Sequence, residues 1–543
     1  MPEEKTTAKA TSVQDPLRVD NGGKVSVRKG IFYPISLIFV AIIIVGLVAP
    51  KTFYDVENAI VDFAFLDFGW LFQISGNIFL FICLFFCFSK YGDIRFGGKD
   101  AKPELSTWNW FAISLCGGIA TGIVFWGIAE PLYHLMDSGA FQALGITPKS
   151  EEAAMFSMVT TYIHWTFIPY AMYAICGLGI AYAAYNMDLP YRVSATLYPI
   201  AGRKIEGTVG TFVDGLCLVA IAGGVVAVLG VGTMQISSGI QIMTGLPAGK
   251  VMWIAVVVAL VATYIISSYT GLNRGIRWLS DKNAKIFLGL LLFVFVFGPT
   301  RFILSLGTQA VGHFIDDFFV RTHYLSPVDG SAWPRWWPIY YWAIWLAYAP
   351  LIGMFLARLV KGRTIRQFMF MNLLMPAFFG LVWFSVFGGA AINLELTGQG
   401  LWDAIHEGGK LALEKSVFEF LKFYPLTKVI SWIFIGTIFI SIVTLADSMT
   451  STVASLSTTA AHQEGIEPPG TMKIFWGVVM SSVAIINLIS GSGGGEISGI
   501  DATKQIATVA GFPILFLMVA MAFTISWMIV RHAKGEKVLL VKE

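Results

Sequence analysis

The sequence predicts an all-α polytopic membrane protein with about twelve transmembrane helices. Of its 543 residues, 56% are hydrophobic and only 13% are charged, and a soluble domain carries roughly twice that charged fraction. The apolar residues form unbroken runs, several of them longer than the ~20 residues that a helix needs to cross a bilayer. Membrane β-barrels show short alternating strands instead. Composition and run length therefore indicate a helical bundle embedded in lipid.

Windows of about twenty apolar residues divide the chain into an arm, a transmembrane domain and a tail. The arm covers residues 1–30, the domain 31–531 and the tail 532–543. Two outer connections are longer than simple turns. The connection 313–334 is expected to include a short amphipathic surface helix. The connection 395–422 is expected to be helical and to pack on the outer surface as well. The predicted spans are 31–49, 68–88, 110–135, 155–184, 208–242, 251–270, 284–310, 337–360, 367–389, 428–460, 471–490 and 506–530.

Lysine and arginine concentrate in alternate connections, and basic connections stay on the cytoplasmic side of a membrane. The arm, the tail and the second-to-third, fourth-to-fifth, sixth-to-seventh and eighth-to-ninth connections are basic, whereas the opposite connections are rich in acidic residues. We expect a multi-pass protein of the cell membrane with both termini in the cytoplasm. The small net charge of +3 gives no reason to expect a nucleic-acid partner.

No catalytic pattern interrupts the apolar runs. The chain lacks a phosphate-binding loop, a dinucleotide-binding glycine fingerprint, a zinc-protease helix motif and a serine nucleophile elbow. Its five cysteines lie in apolar segments without the spacing of metal ligands. We therefore expect no enzyme and no organic cofactor, and no metal site is assigned apart from a possible sodium ion as the coupling ion.

Glycines recur in the third span, which ends at an acidic residue. Gly118 and Gly122, with their neighbours Gly117 and Gly127, could let the helix unwind or hinge, or could simply allow close helix packing. Glu130 is either a buried functional acid or a charge at the outer rim, and the following proline favours the rim.

Aromatic residues cluster in the fourth and eighth spans. Trp165, Tyr170 and Tyr173 surround Pro169, which bends the helix so that rings can converge. Converging aromatic faces suit a quaternary ammonium group, although packing or interfacial anchoring explains any single ring. In the eighth span the aromatics run through more than three turns, which favours the lining of a pathway. They are Trp336, Trp337, Tyr340, Tyr341, Trp342, Trp345 and Tyr348.

The tenth span carries polar groups inside an apolar helix. Asp447 is expected to face a cavity or a polar partner, because a carboxylate within the membrane is costly. Ser441, Thr444 and Ser448 share one face, and their hydroxyls suit a sodium ion. Hydrogen bonds to the carbonyls of their own helix are the alternative.

These stretches resemble the betaine/carnitine/choline transporter family over residues 30–530, most specifically at 117–131, 164–173 and 337–368. The resemblance implies twelve helices in which the third to seventh (108–311) and the eighth to twelfth (336–531) form two inverted five-helix repeats. It also implies a homotrimer and an aromatic substrate box of Trp165, Tyr170, Tyr173 and Trp345. Trp337, Trp342 and Tyr348 match aromatic positions along the substrate path.

Departures from the family pattern concern the box and the coupling ion. Tyr170 stands where the family often has tryptophan, and Ile344 replaces a second one, so the box is leaner. Leu445 follows Thr444 where sodium-coupled members carry a hydroxyl, and Arg277 matches an arginine that replaces sodium in a carnitine exchanger. The carbonyls of Cys116 and Ile119 could still complete a sodium site with Thr444. These residues slightly favour sodium-independent exchange.

The expected function is secondary active transport of a small cationic or zwitterionic methylated solute, of the betaine, carnitine, choline or trimethylamine oxide type. The alternative is a sodium-coupled or exchange transporter of a non-quaternary solute, such as a sulfonium compound, an amino acid or a sulfonate. A membrane sensor or scaffold is a third reading, which the lack of a soluble signalling domain disfavours.

Overall fold

Twenty α-helices follow one another in the computed structural model, which describes residues 25–136, 139–270, 273–407, 410–459, 467–491 and 499–541. The only strands among these residues are β1 (His406–Glu407) and β2 (Lys410–Leu411), which pair antiparallel. The helices are α1 Lys29–Val48, α2 Pro50–Phe88, α3 Thr107–Met136, α4 Phe141–Leu144, α5 Glu151–Trp165, α6 Phe167–Asn186, α7 Tyr198–Ala201, α8 Thr208–Thr244, α9 Lys250–Thr270, α10 Asn273–Phe297, α11 Thr300–Asp316, α12 Phe318–Thr322, α13 Tyr340–Arg358, α14 Ile365–Met369, α15 Met375–Leu396, α16 Leu401–Ala404, α17 Ser416–Leu421, α18 Thr427–Leu456, α19 Gly470–Gly491 and α20 Gly499–Ala533.

The predicted membrane spans correspond to these helices in order. Ten spans in the described residues are long and apolar enough to cross a membrane, and the bent pair α10–α11 adds an eleventh. The third predicted span is α3, a continuous helix of 30 residues. The prediction of an all-α polytopic membrane protein is confirmed, whereas the boundaries of the two repeats remain a prediction.

Three sequence predictions about helix limits were wrong. The seventh span, 284–310, is broken at Gly298 and Pro299, and its halves are bent by 109°, because proline has no N–H for the helical ladder. A short helix does lie within 313–334, as expected, and it is α12, Phe318–Thr322. The second span starts at Pro50 instead of residue 68, and 395–422 contains a β-hairpin between short helices.

Helix α13 lies at the centre of the bundle, where it packs against α6, α8 and α20. Glycines permit its close crossing with α6: a Cβ built on Gly353 would come within 2.6 Å of Cys176 Sγ and 3.0 Å of the Gly177 nitrogen. Small residues allow such backbone contact between membrane helices. The crossing brings the aromatic stretches of the fourth and eighth spans together.

The basic connections meet at one end of the bundle. The Arg95 side chain donates to the carbonyl of Gly362, and Asn186 Nδ2 donates to the carbonyl of Arg95 at 3.0 Å. The Leu540 amide of the tail donates to the Pro199 carbonyl at 2.8 Å. These contacts join the second-to-third, fourth-to-fifth and eighth-to-ninth connections and the tail. The shared end agrees with the alternation of charge, and its cytoplasmic location remains a prediction.

Candidate substrate site

The fourth span is interrupted at Thr166, between α5 and α6, where φ is −120° and ψ is −115°. Pro169, the predicted hinge, lies three residues later and cannot supply the N–H that would bond the Trp165 carbonyl. Gly380 of α15 leaves room for this carbonyl, since a Cβ there would come within 3.0 Å of it. The break follows Trp165 directly, and the Trp165 ring packs against Tyr341 and Trp345 of α13.

Trp345 of α13 is the meeting point of the predicted box residues. Its ring centroid lies 5.4 Å from that of Trp165, 5.9 Å from Tyr170 and 5.1 Å from Tyr173. The Trp165 and Trp345 planes are inclined by 77°, an edge-to-face arrangement that aromatic pairs prefer. We call these four side chains the Trp345 cluster. All four are buried.

A cavity with about 940 Å³ of empty space, its open mouth included, lies against this cluster. Trp165, Tyr173, Trp345 and Tyr348 line it, whereas Tyr170 is not among its lining residues. Six further lining residues bear on the chemistry of the cavity, and four of them are aromatic. They are Phe125, Trp126, Tyr340, Tyr341, Gln235 and Leu445.

Gly122 has a packing role at this cavity. A Cβ built on it would lie 2.7 Å from Trp165 Cη2, so only glycine leaves space for the indole. Helix α3 is continuous through Gly118 and Gly122, and a hinge role for these glycines stays a prediction. The side chains of residues 115–121, including the predicted hinge Gly118, lie outside the described ones.

Glu130 is completely buried, so its expected place at the outer rim was wrong. Its Oε2 accepts hydrogen bonds from Trp165 Nε1 and from the Tyr341 hydroxyl, both at 2.6 Å. Its Oε1 lies 2.5 Å from His164 Nδ1. The spacing of four between Glu130 and His134 could have suggested a polar face pointing inward. The partners themselves come from α5 and α13.

Trp342 and Trp337 lie apart from the cavity lining. Trp342 is fully buried, and its Nε1 donates to Gln73 Oε1 of α2 at 2.7 Å. The Trp337 ring centroid lies 4.2 Å from that of His134. Tyr348 both lines the cavity and donates from its hydroxyl to the Gly224 carbonyl of α8 at 2.9 Å.

The predicted ion ligands are only partly described. Ser441 Oγ accepts from Asn283 Nδ2 at 2.7 Å, and Thr444 Oγ1 donates to the Ile440 carbonyl at 2.8 Å. The bond of Thr444 is the within-helix alternative considered for these hydroxyls. The remaining predicted members lie outside the described side chains. They are Cys116, Ile119 and Arg277.

Comparison with known proteins identifies the family of this helical bundle. A family model described as betaine/carnitine/choline family transporter matches residues 30–534. The chain belongs to the betaine/carnitine/choline transporter family. A probable glycine betaine transporter of Desulfitobacterium hafniense is 30% identical, with 91% of this chain and 96% of that protein covered. Glycine betaine transporter OpuD of Bacillus subtilis is 32% identical, with 90% and 93% covered.

A third relative is named for a different solute. The ectoine/hydroxyectoine transporter of Virgibacillus pantothenticus is 30% identical, with 95% of this chain and 98% of that protein covered. Members of the betaine/carnitine/choline transporter family are secondary transporters, and the relatives named here are transporters as well. The prediction that the chain is not an enzyme is therefore confirmed.

Proposed function

We propose that this chain transports a small methylated cation or zwitterion of the betaine, carnitine, choline or trimethylamine oxide type. The observation that carries this proposal is the convergence of Trp165, Tyr170 and Tyr173 on Trp345 beside a cavity. Two relatives named as glycine betaine transporters support the same class of substrate. In this proposal the Trp345 cluster is the substrate box.

The chemistry of the cavity favours a cation without N–H donors. Aromatic faces attract such a group by about 0.5–2 kcal/mol each, and most strongly when water is excluded. The carboxylate of Glu130 lies behind Trp165 and Tyr341 and accepts a hydrogen bond from each. Its negative charge polarises both donors toward itself, which makes their rings richer in electrons and stabilises a positive charge in the cavity.

Transport would proceed by alternating access, with one repeat rocking against the other around the box. The cavity is lined from both predicted repeats, by Trp165 and Tyr173 on one side and Trp345 and Tyr348 on the other. A shift between α6 and α13 would therefore change access to it. A homotrimer in the cell membrane, with both termini cytoplasmic, belongs to the same proposal and is tested by cross-linking in vesicles.

Two substitutions test the box. Trp345→Leu and Trp165→Leu should each weaken binding of radiolabelled glycine betaine to the purified protein by at least ~30-fold, since about 2 kcal/mol of desolvated cation–π attraction is lost. Trp432→Leu is the matched control, because Trp432 is 49% exposed on the outside of α18. Carnitine, choline, trimethylamine oxide and dimethylsulfoniopropionate are compared as competitors. Unchanged affinity in both box variants would exclude this assignment.

A second candidate substrate class is a non-quaternary solute that carries N–H donors. Gln235 lines the cavity, and its buried Oε1 has no hydrogen-bond partner in the described part of the chain. A buried acceptor of this kind favours a ligand that can donate to it. The relative named for ectoine and hydroxyectoine supports the alternative. Competition by ectoine that disappears in Gln235→Met, with glycine betaine unaffected, would establish it.

We also propose that transport occurs by exchange and without sodium. Leu445 presents an aliphatic side chain to the cavity beside Thr444, and an alkyl group offers sodium no ligand. Proteoliposomes loaded with unlabelled solute should take up labelled solute equally well in sodium and in potassium buffers. Uptake that requires sodium would exclude exchange as the mode of coupling and return Thr444 and Ser441 to an ion site.

A further inference from the structure

Three potential metal ligands converge beside the aromatic cavity, on the side of Glu130 that faces away from Trp165. They are Glu130 and His134 of α3 and His164 of α5, and their ligand atoms all lie within 4.8 Å of one another. His164 Nδ1 is 2.5 Å and His134 Nε2 is 3.7 Å from Glu130 Oε1. The exposed fraction of each residue is at most 1%.

The local structure explains how these groups meet. Glu130 and His134 are four residues apart and therefore share one face of α3. His164 is the penultimate residue of α5, immediately before the interruption at Thr166. The helices α3 and α5 pack directly against each other. Two helices thus present an i, i+4 pair and a single imidazole to one small volume.

Hydrogen bonding accounts for two of the three groups but not for the third. Glu130 and His164 satisfy each other, and the second oxygen of Glu130 is taken by Trp165 and Tyr341. Both ring nitrogens of His134 are buried and have no hydrogen-bond partner among the described residues. Leaving a buried polar group unsatisfied costs about 1–3 kcal/mol.

Among the described residues, aromatic rings pack against His134. Its ring packs against Trp337, Trp333 and Phe156, at centroid distances of 4.2, 5.9 and 5.9 Å. Arg321 of α12 lies over the Phe156 ring, with its guanidinium carbon 4.5 Å from the ring centroid. A guanidinium can donate to one nitrogen of a neutral imidazole, but no hydrogen bond joins Arg321 to His134 among the described residues. His134 Nε2 lies 3.7 Å from Glu130 Oε1, which is too far for a hydrogen bond.

We propose that His134 Nε2, His164 Nδ1 and Glu130 Oε1 form a site for a divalent transition metal ion, with Zn²⁺ as the best match. Two imidazoles and one carboxylate are a common zinc donor set, with a fourth position open to water. Bonds of about 2.0–2.1 Å in a tetrahedron separate the ligand atoms by roughly 3.3 Å. The distances of 2.5 and 3.7 Å lie on either side of that value, and all three ligand atoms lie within 4.8 Å of one another, so side-chain shifts on binding would have to produce the tetrahedral geometry.

Occupation of this site would act on the transporter through Glu130. The metal would join α3 to α5 and draw Oε1 away from its present bond with His164, while Oε2 continues to hold Trp165 and Tyr341. Because Trp165 lines the cavity, the ion would restrain the box and its helices together. Zn²⁺ should therefore slow transport. Binding of the ion itself does not depend on which solute the protein carries.

Calorimetric titration of the purified, chelator-treated full-length protein with Zn²⁺ tests the site. We expect one ion per chain, and His134→Phe and His164→Ala should each lower the affinity at least tenfold. His134→Phe keeps an aromatic ring between Trp337 and Phe156 and should remain folded. His406→Ala is the matched control, since His406 is exposed and bonded to the Trp402 carbonyl, and it should bind as the wild type does.

Titration of the unsubstituted protein with Co²⁺ provides a second readout that requires no variant. A site with nitrogen and oxygen ligands in a tetrahedron gives strong visible absorption bands, and Zn²⁺ should abolish them by competition. Absence of stoichiometric Zn²⁺ binding, or equal binding by the wild type and both histidine variants, would show that these three side chains do not form a metal site. If the unsubstituted protein binds Zn²⁺ but does not bind glycine betaine, the proposed substrate is contradicted and the proposed metal site is not.

Discussion

The Trp165 indole donates a hydrogen bond from Nε1 to Glu130 Oε2, with 2.6 Å between the two atoms. A buried carboxylate on α3 therefore fixes the orientation of a cavity-lining ring on α5. The same oxygen accepts from the Tyr341 hydroxyl of α13. One acidic group therefore joins helices that belong to the two predicted repeats. Charge-assisted bonds of this kind are about twice as strong as neutral ones, which makes Glu130 the main positioning residue behind the cavity.

Replacing Glu130 by glutamine should weaken solute binding. Glutamine keeps the volume but loses the charge, and each hydrogen bond to a charged group contributes about 1.5–3 kcal/mol. We expect the Kd for glycine betaine to rise about tenfold to a hundredfold, measured by equilibrium binding to the purified protein. Glu467→Gln is the control, because Glu467 is exposed and paired with Lys473. Equal affinity in both variants would show that Glu130 does not position the box.

The aromatic part of the site could be predicted from local sequence. Trp165, Tyr170 and Tyr173 surround a proline, and a proline must disturb a helix, so a bend beside these rings could be predicted from one span alone. The membrane spans could be predicted for a similar reason, because each depends only on the length of an apolar run. These features need no knowledge of which helices are neighbours.

Features that depend on distant partners could not be predicted. Trp342 bonds to Gln73 across 269 positions, and nothing in either stretch specifies the other. Glu130 was expected at the rim because a proline follows it, and nothing near it in the sequence points to its partners on two other helices. The break at Gly298 and Pro299 is different, since the glycine–proline pair was visible in the sequence. There the apolar composition on both sides outweighed the local signal for a bend.

Gly122→Ala tests whether the space beside Trp165 matters. The new methyl group would lie 2.7 Å from Trp165 Cη2, and overpacking of this kind costs about 1–3 kcal/mol. We expect the ring to shift, the affinity for glycine betaine to fall about tenfold and the melting temperature to fall as well. Gly436→Ala of α18 is the control, because a Cβ there meets no atom within 4 Å. Full affinity in Gly122→Ala would contradict the proposed position of the Trp165 ring in binding.

Trp342→Phe separates two roles for this residue, the substrate contact predicted from sequence and the helix contact in the structure. Loss of the indole leaves Gln73 Oε1 unsatisfied, at a cost of about 1–3 kcal/mol, so the melting temperature should fall. The affinity for glycine betaine should change much less than in Trp345→Leu. The double variant with Gln73→Leu removes the unsatisfied acceptor but also the bond from Gln73 Nε2 to the Tyr324 carbonyl, so it should recover part of the stability. A large loss of affinity at unchanged stability would restore Trp342 to the box.

Asp214 provides the last prediction, because it joins the N-terminal arm to the helix bundle. Its Oδ2 accepts from Arg28 at 2.9 Å and lies 3.9 Å from Arg192 Nε, and all three residues are buried. Arg28 also donates to the Leu456 carbonyl at the end of α18 at 3.1 Å. The cluster therefore connects the arm, α8 and α18.

Asp214→Asn should destabilise the protein more than Arg28→Ala does. The first change removes the carboxylate that both buried guanidinium groups face, and breaking a buried ion pair in this way costs about 3–5 kcal/mol. The second removes one cation and leaves Asp214 close to Arg192. Lys29→Ala, at an exposed neighbouring position, should melt as the wild type does. Thermal unfolding in detergent measures the order of the three variants, and a melting temperature of Asp214→Asn at or above that of Arg28→Ala would contradict the role of Asp214 as the shared acceptor.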